Sequence, residues 1–106
     1  MIKAEDYTYR VFWSEEDQSF IATVAEFPRL SSIENTQWKA FTGIVDLVSF
    51  LLDEMKKDGD SPPVPLTKKV YSGEIRLRMP SEIHRRIAIE AAEQGTSINQ
   101  LILSRI

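Results

Sequence analysis

The side chains from Glu74 to Met79 alternate strictly between charged and apolar, which restricts what the C-terminal part of the chain can become. Such alternation is typical of a strand with one buried face. Pro80 follows directly; it has no N–H to donate to a sheet, so it ends the strand and can open a helix. The buried side of this strand is expected to carry Ile75, Leu77 and Met79, and the outward side Glu74, Arg76 and Arg78.

Two short helices are predicted after Pro80. Ile83, Ile87 and Ala91 recur every four residues, a narrow apolar stripe on a helix that Gly95 ends with a left-handed cap. Ser97 is a good cap for a second helix. The apolar positions of that second helix are Ile98, Leu101 and Ile102.

One strand and two short helices bury little surface, and a lone strand leaves both edges unpaired. We therefore expect a homodimer in which two copies of the strand pair antiparallel above intertwined helices. The outward faces then form a two-stranded ribbon, an element that fits the major groove of DNA. Arg76 and Arg78 can bond bidentately to guanine, and Glu74 can accept from a cytosine amine or repel phosphate.

The preceding part of the chain predicts a separate α+β module. Aromatic and β-branched residues indicate strands over Tyr7–Trp13 and Phe20–Ala25, with a short third strand over Leu30–Glu34. Apolar residues at three- and four-residue steps predict a long helix from Gln37 to about Lys57, capped by Asn35 or Thr36. This helix would cover one face of the sheet, with Trp13 and Trp38 in the core. Gly43, inside the helix, would allow the sheet to approach closely.

Residues 58–70 contain three prolines and no periodicity, and we interpret them as a stiff, extended linker. The predicted organisation is therefore a module over residues 1–57, the linker over 58–70, and the strand and two helices over 71–106.

Three stretches, taken in order, resemble HicB-family antitoxins with a C-terminal ribbon-helix-helix domain: YTYRVFWSEEDQSFIATVAEFPRLS, SGEIRLRMPSEIHRR and GTSINQLI. The resemblance covers nearly the whole chain. It implies a partial ribonuclease H-like N-terminal module that binds a basic, mRNA-cleaving toxin of the HicA type and covers its catalytic histidine. It also implies a C-terminal domain that binds an inverted repeat in its own promoter as a dimer, or as a tetramer with help from the N-terminal modules.

The resemblance does not by itself identify the residues that contact DNA or the toxin, and we predict them from the sequence. For DNA we expect base contacts from the three outward residues of the strand, and phosphate contacts from the start of the second helix at Ser97, Ile98 and Asn99. For the toxin we expect acidic side chains and an aromatic anchor: Asp17, Glu26, Phe27 and Glu34.

The distribution of charge along the chain favours two different partners. Residues 1–72 hold eight basic and twelve acidic residues, whereas residues 73–106 hold five basic and four acidic ones. An acidic first part suits a basic protein, and a mildly basic second part suits phosphate. We expect no catalytic residues, metal site, cofactor or small-molecule substrate, because a single histidine without cysteine lacks the partners of a metal site or catalytic triad. We expect no membrane segment, because no apolar run is long enough, and a cytoplasmic location, which the absence of cysteine fits. The alternative is a solitary ribbon-helix-helix regulator without a toxin.

Overall fold

The computed structural model describes residues 1–106 and has an α+β fold, as predicted. It divides into two compact units, Met1–Tyr71 and Ser72–Ile106. No helix is both long and apolar enough to cross a membrane. The elements after a short 3-10 turn at Ala4–Asp6 are β1 (Tyr9–Ser14), β2 (Ser19–Val24), β3 (Ser31–Glu34), α1 (Gln37–Asp58), α2 (Ser81–Glu93) and α3 (Ile98–Ser104).

The first unit contains the predicted three-stranded antiparallel sheet, in the order β1, β2, β3. The register places Val11 opposite Ala22, and Ala22 opposite Ser32. Because side chains directly opposite each other share a face, these three residues lie on the same side of the sheet. β1 begins at Tyr9, two residues later than predicted, and Tyr7 is instead buried beside the sheet, with its hydroxyl donating to the carbonyl oxygen of Pro63 at 2.8 Å.

Helix α1 covers this side of the sheet and completes the core. The Thr36 side chain accepts a hydrogen bond from the backbone N–H of Lys39, which fixes the start of the helix, and Gly59 ends it in a left-handed conformation (φ 74°). Gly43 permits the expected close approach, because a Cβ atom there would lie 2.5 Å from the Ser32 Oγ. The core consists of Ala4, Tyr7, Ala22, Val24, Ala40, Ile44 and Val48.

The two tryptophans are not core residues, and that prediction was wrong. Trp38 is 71% exposed and Trp13 is 45% exposed. Trp38 lies six residues before Ile44, which places it about 120° around the helix from the buried stripe. Trp13 lies near the end of β1, where its indole packs against Phe20 and its Nε1 donates to Glu15.

The proline-rich segment differs from the expected linker because it packs on the first unit. Pro65 is fully buried, and the carbonyl oxygen of Pro63 accepts the Tyr7 hydroxyl. The Leu66 N–H donates to the Glu26 carboxylate at 2.8 Å. Proline carbonyls still accept hydrogen bonds and proline rings are apolar, so a sequence that resembles a spacer can also complete a core.

The second unit has the predicted helices but not the predicted strand. α2 follows Pro80, Gly95 adopts a left-handed conformation (φ 68°), and Ser97 caps α3 by accepting from the Gln100 N–H. Residues 73–79 form no strand within the single chain. The reason is physical: a strand requires a neighbour for its backbone hydrogen bonds, and this unit offers none.

Candidate interaction surfaces

The segment before α2 presents its charged side chains to solvent. Glu74, Arg76 and Arg78 are all exposed. Neither arginine forms an ion pair within the chain, so both guanidinium groups are available to a partner. The predicted DNA-contacting residues are therefore accessible, close together in sequence, and not engaged elsewhere.

The apolar residues of the same segment are exposed as well, and this is unusual. Ile75 is 93% exposed and Leu77 is 61% exposed. An open apolar groove runs between this segment and α3. Its lining includes Leu77, Met79, Ile98, Ile102, Leu103 and Ile106. Exposed apolar surface of this kind marks an interaction site in a folded protein.

The start of α3 lies at this groove. The Ser97 Oγ accepts from the backbone N–H of Gln100 at 3.0 Å, so the hydroxyl is already used as a helix cap. Ile98 is half-buried and Asn99 is exposed, and both line the groove. The structure thus brings Ile98 and Asn99 near Glu74 and Arg78, which line the same groove.

In the first unit, two of the four predicted toxin-contacting residues lie at the same end of the sheet. Asp17 belongs to the turn between β1 and β2, where its carboxylate accepts from the Ser14 hydroxyl at 3.0 Å. Glu34 ends β3 and lies opposite Phe20, next to that turn. Both are exposed and belong to an acidic end of the sheet that also carries Glu16.

Glu26 and Phe27 have structural contacts instead. The Glu26 carboxylate accepts from the Thr8 N–H and hydroxyl, each at 3.0 Å, and from the Leu66 N–H at 2.8 Å. Partial burial raises the pKa of Glu26, but these hydrogen bonds outweigh it and hold the pKa below its usual value. The Phe27 ring packs edge-on against Tyr7, with centroids 5.0 Å apart, and belongs to the edge of the core.

Sequence reasoning missed one exposed surface, on α1. Phe50 is 61% exposed and Leu47 is 37% exposed, although both are large and apolar. The sequence does indicate that Phe50 is exposed, through its position on the helix. Phe50 lies six residues after Ile44, about 120° around the helix from the buried stripe, so a stripe of normal width excludes it.

Comparison with known proteins gives one match. The HicB family model matches residues 61–106, which comprise the end of the first unit and the whole of the second. No curated protein and no solved structure matches the chain. Over residues 61–106 the chain is thus similar to the HicB family.

Proposed function

We propose that this protein is the antitoxin of a type II toxin–antitoxin pair. Its second unit dimerises as a ribbon-helix-helix domain and represses its own operon, and its first unit binds and neutralises a HicA-type toxin. The observation that carries this proposal is the HicB match over residues 61–106, the same region that leaves an apolar groove uncovered. The protein would act by binding, without catalysis of its own.

The groove supports the dimer. Within one chain, the second unit buries only Ala91 and Leu101, while Ile75 and Leu77 remain exposed. Pairing two copies of residues 73–79 would give each segment a backbone partner and move both side chains into a shared core. Burying a side chain of this size contributes about 1.5–3 kcal/mol.

The charged side of the same segment supports DNA binding. In a two-stranded ribbon, Arg76 and Arg78 of each chain would point into the major groove, where each good pair with guanine discriminates by ~1–3 kcal/mol. Glu74 would act against wrong sites by repelling phosphate, or would accept from a cytosine amine. Phosphate contacts from Ser97, Ile98 and Asn99 remain a prediction.

The acidic first unit supports toxin capture. Residues 1–72 hold twelve acidic and eight basic residues, a balance that favours association with a basic protein. HicA-type toxins resemble double-stranded-RNA-binding domains, so a protein that covers their RNA-binding face would also block access to their catalytic histidine.

Operator binding is tested by replacing the two arginines. Arg76→Ala with Arg78→Ala should weaken binding of promoter DNA by on the order of 100-fold or more, because a dimer loses four guanidinium groups. Arg85→Ala with Arg86→Ala on α2 is a matched control, since it removes the same charge from exposed positions. Fluorescence anisotropy at several salt concentrations measures both the affinity and the number of phosphate contacts. Equal losses in the two variants would refute base contacts from the ribbon.

Toxin neutralisation is tested with any small reading frame that lies beside this gene. Its product should arrest growth when expressed alone, and this protein should relieve the arrest and co-purify with that product. Operator binding without any arrest or complex would establish the solitary regulator instead.

A further inference from the structure

Helix α1 has a second apolar surface that faces away from the core. Ile44 and Val48 are fully buried against the sheet, but Phe50 and Leu47, one turn apart, are 61% and 37% exposed. We call Leu47 and Phe50 the outer pair. The first unit leaves most of Phe50 uncovered and covers Leu47 only in part.

Three carboxylates surround the outer pair. In an α-helix, residues three and four positions apart are neighbours on the surface. Phe50 therefore has Asp46 on one side and Asp53 and Glu54 on the other. Lys57 pairs with Glu54 at 3.4 Å, whereas Asp46 and Asp53 form no ion pair. The result is an exposed aromatic ring with an acidic rim.

The acidic rim determines which partner can cover the outer pair. A second copy would bring two such rims together, and like charges in close contact disfavour association. Nucleic acid and anionic lipid would be repelled for the same reason. Another apolar row of this unit consists of Phe12, Ile21 and Ile33, of which Ile33 is exposed. It is accompanied by Arg10, whose guanidinium lies over the Phe12 ring. That row therefore lacks the charge that a basic partner requires.

We infer that the outer pair of α1 is the surface by which the first unit binds its basic toxin. This inference rests on the proposed antitoxin function. Phe50 would enter an apolar pocket of the toxin, and Asp46 and Asp53 would pair with lysine or arginine at its edge, since interfaces combine an aromatic anchor with a polar rim. The anchor is thus Phe50, rather than the packed Phe27.

The test measures the affinity of the full-length protein for the purified product of the adjacent reading frame. Phe50→Ser should weaken binding by roughly 30-fold or more, as expected for an aromatic anchor. Asp46→Lys with Asp53→Lys should weaken it by about 10-fold or more, and this loss should shrink at high salt. Trp38→Ser is the matched control, because Trp38 is at least as accessible on the same helix but lies about 120° from Phe50. It should change the affinity by less than about 3-fold.

The outcomes separate this inference from the function on which it rests. If the wild-type protein binds the toxin and the Phe50 and aspartate variants bind it equally well, the surface is wrong and the antitoxin function stands. If the wild-type protein neither binds the product nor relieves an arrest, both are wrong. A native urea unfolding transition, followed by tryptophan fluorescence, shows that the first unit of each variant still folds, and retained operator binding shows that the second unit is intact.

Discussion

The two units differ in how well each can bury its own apolar residues. The first unit places residues such as Ile44, Val48 and Ala22 at 0% exposure in a core between α1 and the sheet. The second unit buries only Ala91 and Leu101, and leaves most of its large aliphatic side chains exposed. Its 35 residues fall below the roughly 40 that usually suffice for folding without help from disulfides, metals or oligomerisation. The first unit is therefore a self-contained fold, whereas the second leaves apolar surface open that the proposed dimer would cover.

The strongest test of this comparison places a charge in the groove of the second unit. Leu77→Asp should weaken self-association by on the order of 100-fold or more, because a carboxylate would be buried without a partner. Sedimentation velocity measures the association. Both tryptophans lie in the first unit, so tryptophan fluorescence should remain native. Arg76→Ala on the outward side should keep the dimer, and a dimer that survives Leu77→Asp would show that the second unit does not pair through this segment.

The converse test shortens a buried side chain in the core of the first unit. Ile44→Ala should lower the free energy of unfolding by about 2–5 kcal/mol, since the surroundings of a fully buried side chain collapse only partly. Urea unfolding followed by tryptophan fluorescence reports the first unit alone. Leu47→Ala, on the exposed side of the same helix, should cost much less. Similar losses in the two variants would contradict a closed core beneath α1.

A smaller effect tests whether the proline-rich segment belongs to the first unit. Glu26→Ala removes the acceptor of the Leu66 N–H and should cost about 1–3 kcal/mol. It should also speed tryptic cleavage at Lys68 and Lys69, which limited proteolysis with mass spectrometry detects. Glu34→Ala, which removes an exposed carboxylate, should not. Unchanged cleavage in the Glu26 variant would indicate that the proline-rich segment is a free linker after all.

The same carboxylate gives a pH dependence of known sign. The pKa of Glu26 in the folded protein lies below its usual value of 4.5, because the Leu66 and Thr8 hydrogen bonds outweigh partial burial. Its contribution to stability is therefore complete above about pH 4.5 and is lost as the pH falls through the lower folded pKa. Glu26→Ala should lose less stability than the wild type over this acid range in urea titrations.

The elements with local signals could be predicted from the sequence. Helix α1 has the predicted start at Gln37 and ends one residue beyond the predicted Lys57, because its apolar period and its Thr36 cap are encoded within the segment itself. The β1–β2 hairpin and the helices after Pro80 follow for the same reason. The tryptophans could not be placed, because hydrophobicity favours burial while position on the helix or strand decides it.

The sequence by itself determined the α+β class, the order of the elements and the alternation that separates Arg76 from Leu77. Only the tertiary structure decided which side chains are free to bind a partner. Glu26 and Phe27 are engaged by residues distant in sequence, Leu66 and Tyr7, whereas Phe50 stays exposed because α1 packs its Ile44 side against the sheet. Local patterns set periodicity and caps, but contacts between distant residues determine what remains exposed.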